Sequence, residues 1–156
     1  MPPFDADSFM QANVTDALST TILSCPEGEY SAIIDTNIQF DEVASTKNPG
    51  TSFPIMRVFY VVQDAAVKTK LKREKVTVRQ DIFLDLQPSG ALDTSEGKNV
   101  TLGRVRAALG QNKAGQPWSP AMLKGAGPVM IQVKHRPNEK DPTSPYAEVA
   151  RVSAMK

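Results

Sequence analysis

A chain of 156 residues and 17.0 kDa can enclose one hydrophobic core but is short for two. Its composition, 40% hydrophobic and 22% charged, is that of an ordinary globular domain, and no apolar run nears the roughly 20 residues of a membrane span, so a soluble protein is expected. Cys25, the single cysteine, excludes an intramolecular disulfide, and the opening residues Met1 to Asp7 have no basic stretch before an apolar one; the expectation is a cytoplasmic protein without a secretory signal. The net charge of +1 conceals a segregation. Eight of the 17 acidic residues and none of the 18 Lys and Arg lie in 1–46, giving −8 there, while nine acidic and 18 basic residues give +9 in the remainder. Such asymmetry suits a basic surface for a polyanion beside an acidic segment that shields it or meets a partner; uneven, fully solvated charge is the plainer reading.

In chain order, residues 5–18 place Phe9, Met10, Val14, Ala17 and Leu18 at helical spacings behind Asp5 and Asp7, which predicts a short N-terminal helix within an acidic segment, 1–25. A turn at Pro26-Glu27-Gly28-Glu29 then opens the main domain, 26–156. Tyr30 to Phe40 reads as a first strand with Tyr30, Ala32, Ile34, Ile38 and Phe40 on one face, and 41–52 as a loop. Phe53 to Gln63 is the strongest strand signal, with Met56, Val58, Tyr60 and Val62 on one parity and Ile55, Arg57, Phe59 and Val61 on the other. Lys75 to Gln87 alternates cleanly. Val76, Val78, Ile82, Leu84 and Leu86 take the core face; Thr77, Arg79, Asp81, Phe83 and Asp85 take the wet one.

Asn99 reads as the N-cap of a helix ending near Leu109 and Gly110, with Leu102, Val105 and Leu109 as its apolar stripe and Gly103 allowing close approach to the sheet. Ser119-Pro120 to Gly125 spells a single helical turn capped by Ser119. Pro128 to Arg136 and Tyr146 to Ser153 form two last strands joined by a Pro-rich loop, 137–145. Three strands, a helical segment and two strands is the order of the five-stranded Greek-key oligonucleotide/oligosaccharide-binding (OB) barrel, a mainly β fold with its helix between strands 3 and 4. A generic α+β domain shares the elements.

Catalytic signals are weak. His135 is the only histidine, Cys25 has no nearby histidine, and neither a metal-ligand spacing nor a phosphate-binding glycine loop is present, so no enzyme, cofactor or metal is expected. Asp81 and Asp85, on one strand face at i, i+4, stand roughly 13 Å apart, too far for a close acid/base pair. Binding signals are stronger. Arg57 and Phe59 share one face, Arg79 and Phe83 another, and single-strand binders need aromatic faces for bases beside cations for phosphates. The competing reading packs both phenylalanines in the core. Lys68, Lys70, Lys72, Arg73, Lys75 and Arg79 form a basic run read as a hairpin finger, or as a solvated strand edge. Lys134 and Arg136 on the fourth strand and Arg151 on the fifth extend the basic track, and Tyr146 either stacks or fills core.

The turn Pro26-Glu27-Gly28-Glu29-Tyr30, the run Gly97-Lys98-Asn99-Val100 into Leu102-Gly103-Arg104-Val105-Arg106, Pro117-Trp118-Ser119 and Tyr146-Ala147-Glu148-Val149 together resemble bacteriophage single-stranded DNA-binding proteins of the compact OB type. The resemblance covers about residues 26–152 and rests on structural motifs. It implies protection of replication or recombination intermediates, self-association and recruitment of replication or recombination proteins. Many such proteins end in an acidic tail that recruits partners, whereas this sequence ends Arg151-Val152-Ser153-Ala154-Met155-Lys156, which puts tail-mediated recruitment in doubt. The second expectation is a protein-interaction or virion structural module on the same barrel.

Overall fold

Period-two alternation of apolar residues builds most of the molecule, whose computed structural model describes residues 3–155; Met1, Pro2 and Lys156, included in the two expected segments, lie outside the described residues. In chain order the elements are α1 (Ala6–Gln11), β1 (Gly28–Ile34), β2 (Gln39–Ala44), β3 (Ser52–Val62), α2 (Ala65–Leu71), β4 (Thr77–Phe83), α3 (Val100–Ala108), a 3-10 turn (Pro120–Leu123), β5 (Val129–Arg136) and β6 (Tyr146–Ser153). The protein is mainly β, with one six-stranded mixed sheet ordered β1-β5-β6-β4-β3-β2. Every pairing is antiparallel except β4 with β6.

The length of β3 decides the architecture. Its first half, Ser52 to Arg57, pairs with β2, and its last residues, Tyr60 to Val62, pair with β1. That second pairing joins the far end of the sheet to β3, so β1, β5, β6, β4 and β3 form a ring and β2 is attached outside it. Inward residues of the ring strands make the core: Ala32, Ile34, Val58, Tyr60, Val78 and Ile131 are each at most 1% exposed. Burying a Val or Ile of this kind stabilises by about 1.5–3 kcal/mol. Tyr60 brings a hydroxyl into that interior and donates it to Oε1 of buried Gln80 at 2.6 Å, which removes the cost of an unpaired polar group. Burial pushes the Tyr60 hydroxyl above its ordinary pKa. α3 lies against β6 and β4 and buries Leu102 and Val105.

Near the turn before β5, Gly127 adopts φ +133°, and a Cβ there would stand 3.1 Å from the Ala32 carbonyl and 3.2 Å from Ile33 Cα. Only glycine brings the backbone this close to β1.

Several expectations change. The first strand does not run from Tyr30 to Phe40: the chain bends at 35–38, and the loop expected at 41–52 contains most of β2. The sheet therefore has six strands, not five. Phe40 keeps the core parity, opposite Met56, but lies beyond the ring and is 63% exposed. The basic run is not a hairpin: Lys68 and Lys70 lie on α2, capped by the Asp64 carboxylate, which accepts from Val67 N. Val67 and Leu71, four residues apart, bury its inner face.

The third predicted strand ends at Phe83, leaving Leu86 outside it and 43% exposed. Asn99 does sit at the start of α3, yet its side chain does not cap the helix. Instead Oδ1 accepts from Asp85 N, while Nδ2 donates to the carbonyls of Asp85 and Asp93, latching the 85–99 loop to the end of β4. Gly103 makes no close approach, since a Cβ there would meet nothing within 4 Å. The turn at Pro120 forms, without a side-chain bond from Ser119. The N-terminal helix is shorter than expected: Asp5 caps it through Asp7 N and Ser8 N, and Phe9, Met10, Val14 and Leu18 are exposed.

Candidate nucleic-acid interface

Strand parity carries side chains to the outside of the ring as regularly as it carries others in. Phe59 on β3 stands opposite Arg79 on β4, Arg79 opposite Glu148 on β6, and Glu148 opposite Lys134 on β5. One outer row thus crosses four strands. Its first three members line a groove of about 770 Å³, bounded by residues of β4 and β6 of both parities, buried Gln80 and Val149 among them, by residues 22–25 and by the loop before β6. Phe59, Arg73, Arg79, Phe83 and Arg136 all line it, as does Tyr146.

The two phenylalanines differ in environment. Phe59 is half-buried, whereas Phe83 is 56% exposed. Phe83 also contacts Phe53 edge-on at 6.5 Å between ring centroids. It pairs across the strands with Ile55, which is fully buried although it has the outer parity. Across the groove, Tyr146 is 47% exposed, and the Arg136 guanidinium lies 5.1 Å from its ring centroid. That cation–π contact holds ring and charge together.

Two carboxylates moderate the charge. Arg79 Nε is 3.4 Å from Asp81 Oδ1 and Arg136 Nε is 3.5 Å from Glu148 Oε2. Both pairs are partly exposed, so they orient the arginines at little energetic gain. Arg73 donates to the Leu23 carbonyl at 3.2 Å. Leu23 is held in turn by its neighbours: Ile22 N donates to Ser144 Oγ, and Ser24 Oγ donates to the Pro145 carbonyl. The N-terminal segment therefore forms one wall of the groove.

The remaining predicted residues lie apart from it. Arg57 is half-buried and committed to acids, 3.0 Å from Asp81 and 3.9 Å from Asp41. Lys70 and Lys72 are exposed on and just after α2, and Lys75 donates to Asp35 at 3.1 Å. Lys134 is exposed on β5. The Lys75 ammonium and the Thr36 N–H hold the Asp35 carboxyl below the usual range. Sequence reasoning left Tyr146 between two roles and missed the wall formed by Leu23 and Ser144. Parity on β6, with Tyr146 and Glu148 alternating against buried Val149, was the available signal for the first; the second joins residues about 120 apart and has no local one.

The groups with catalytic potential are engaged within the fold, although Cys25 borders the groove. His135 Nε2 shares a 2.7 Å hydrogen bond with the Cys25 carbonyl, and the His135 backbone N–H donates to Glu27. Burial, aided by the Asp64 charge, pushes the Cys25 thiol up to about 11, which leaves little thiolate at neutral pH. Among the described residues, no three His, Cys, Asp or Glu side chains are grouped to hold a metal ion, and no helix is long and apolar enough to cross a membrane. No protein-family model matches the sequence, and no curated protein matches it.

Proposed function

We propose that this chain is a non-enzymatic single-stranded DNA-binding protein of OB type, phage-encoded, that coats and protects single strands during replication or recombination with little sequence preference. The observation that carries the reading is the convergence in one groove of Phe59, Phe83 and Tyr146 with Arg73, Arg79 and Arg136. Aromatic rings stack on any base, and arginines follow the phosphates, which is the chemistry of sequence-tolerant single-strand recognition. The five-strand ring with α3 preceding β5 supports an OB barrel, and the groove crosses strands that such barrels use for ligands. Self-association and recruitment of replication or recombination proteins complete the proposal, and the host cytoplasm is its setting.

The test is a titration of fluorescent oligo-dT and of duplex DNA at several salt concentrations. Preferred binding of the single strand is expected, with log affinity falling against log salt by about 0.7 per neutralised phosphate. Absent binding, or a flat salt response, overturns it. A second reading, a protein-interaction or virion structural module, is favoured by β2: all six of its residues are exposed, and among the described residues it pairs only with β3. An open strand edge is a template for another chain.

A further inference from the structure

The register of β6 contains one residue too many. Val133 pairs with Val149 and Gln132 with Arg151, so Ala150 has no partner and forms a bulge. Strict alternation from Ala147 and Val149 would send residue 151 into the ring. The extra residue instead buries Val152 and turns Arg151 outward, the re-aiming that bulges accomplish. Arg151 there joins Arg104 of α3 in lining a second depression of about 690 Å³, with small residues such as Ala107 and Ala108 around them.

This depression continues the first. Ala150 lines both, and Thr101, which borders the groove, lies one helical turn before Arg104 on α3. The chemistry changes along the way: among the described residues, no aromatic side chain lines the second depression. Arg104 and Arg151 are exposed and form no ion pair among the described residues, in contrast with Arg79 and Arg136. Glu29, on β1 opposite Gln132 and therefore two strands from Arg151, borders a further small depression with it but forms no ion pair with it.

Resting on the function proposed above, we infer that a bound strand leaves the aromatic groove across Ala150 and continues over α3 and β6, where Arg104 and Arg151 hold two further phosphates. The site takes the sugar–phosphate backbone and stacks no bases. It lengthens the footprint on DNA without adding sequence preference.

The experiment compares full-length wild type with the double variant Arg104→Gln and Arg151→Gln on oligo-dT of about 6 and about 20 nucleotides, the first near the low end of the range that one such domain covers and the second beyond its high end. For the long oligonucleotide, the variant is expected to bind about ten-fold more weakly at low salt, with the log–log salt slope shallower by about 1.4, two phosphates' worth. Binding of the short one stays the same. Lys113→Gln with Lys140→Gln removes equal charge from residues lining neither depression and should change neither; unfolding temperatures verify that all three proteins fold. An unchanged slope on the long oligonucleotide, equal losses on both lengths, or an equal loss in the control overturns the path. Wild type that binds neither length overturns the parent function and the path with it.

Discussion

Phe83 is more than half exposed on a face otherwise occupied by Thr77, Arg79 and Asp81. Its contact with Phe53 gives it some structural weight, but that ring is itself 44% exposed. Replacing Phe83 by Ala should therefore cost well under the roughly 3–5 kcal/mol of a core Phe, while removing a stacking platform of about 1–3 kcal/mol. Thermal unfolding and oligo-dT titration of Phe83→Ala, with Phe59→Ala beside it, read the two terms separately. Preserved folding with affinity several-fold or more weaker in Phe83→Ala is expected; normal binding by both variants removes the stacking role. Phe59, half-buried, should lose more stability than Phe83.

A second residue-scale expectation concerns Asp35, whose carboxyl Lys75 holds below its ordinary pKa. A depressed folded pKa stabilises the fold above the unfolded value of about 3.9 and loses that contribution as pH falls through the folded one. Asp35→Asn should accordingly lower the unfolding temperature slightly at pH 6, by an amount that shrinks below about pH 4. The partly exposed pair limits the effect to about 1 kcal/mol or less. A difference that grows on acidification contradicts this assignment.

At the scale of elements, α2 divides the basic run. Arg73 reaches the groove wall, while Lys70 and Lys72 lie outside the groove lining. Arg73→Ala should weaken binding several-fold, and Lys70→Ala with Lys72→Ala should lower it only modestly, through long-range attraction that vanishes as salt shortens the screening length. An equal effect in the two variants at high salt contradicts that division. The helix itself was legible: Asp64 in cap position and Val67 and Leu71 four apart are ordinary signals, outweighed by the density of lysines. Period-two patterning found β3, β5 and β6 nearly to their ends because one face of each is buried in the ring. It failed on β2, whose residues are all exposed, so that no burial contrast marks the strand. The bulge at Ala150 was likewise hidden, although Val149 and Val152, three apart in an alternating strand, record it.

For the whole molecule, the charge asymmetry acquires a location. Within the acidic segment 1–46, β2 lies at the outside of the sheet, and residues 3–21 form an exposed arm anchored at the groove wall by Ile22 and Ser24. Parity alone grouped Arg57 with Phe59 and Arg79 with Phe83, each strand by itself; the pairing of β3 with β4 joins the two faces, and the closing of the ring brings Arg136 and Tyr146 of the last two strands to the same groove. The central claim is that this groove holds bases. The most direct measurement is photo-cross-linking of the full chain to an oligonucleotide carrying 5-iodo-deoxyuridine, followed by peptide mass spectrometry. Adducts at Phe59, Phe83 or Tyr146, suppressed by excess unlabelled oligo-dT, are the expected result. Adducts confined to other surfaces, such as β2 or the N-terminal arm, would contradict it.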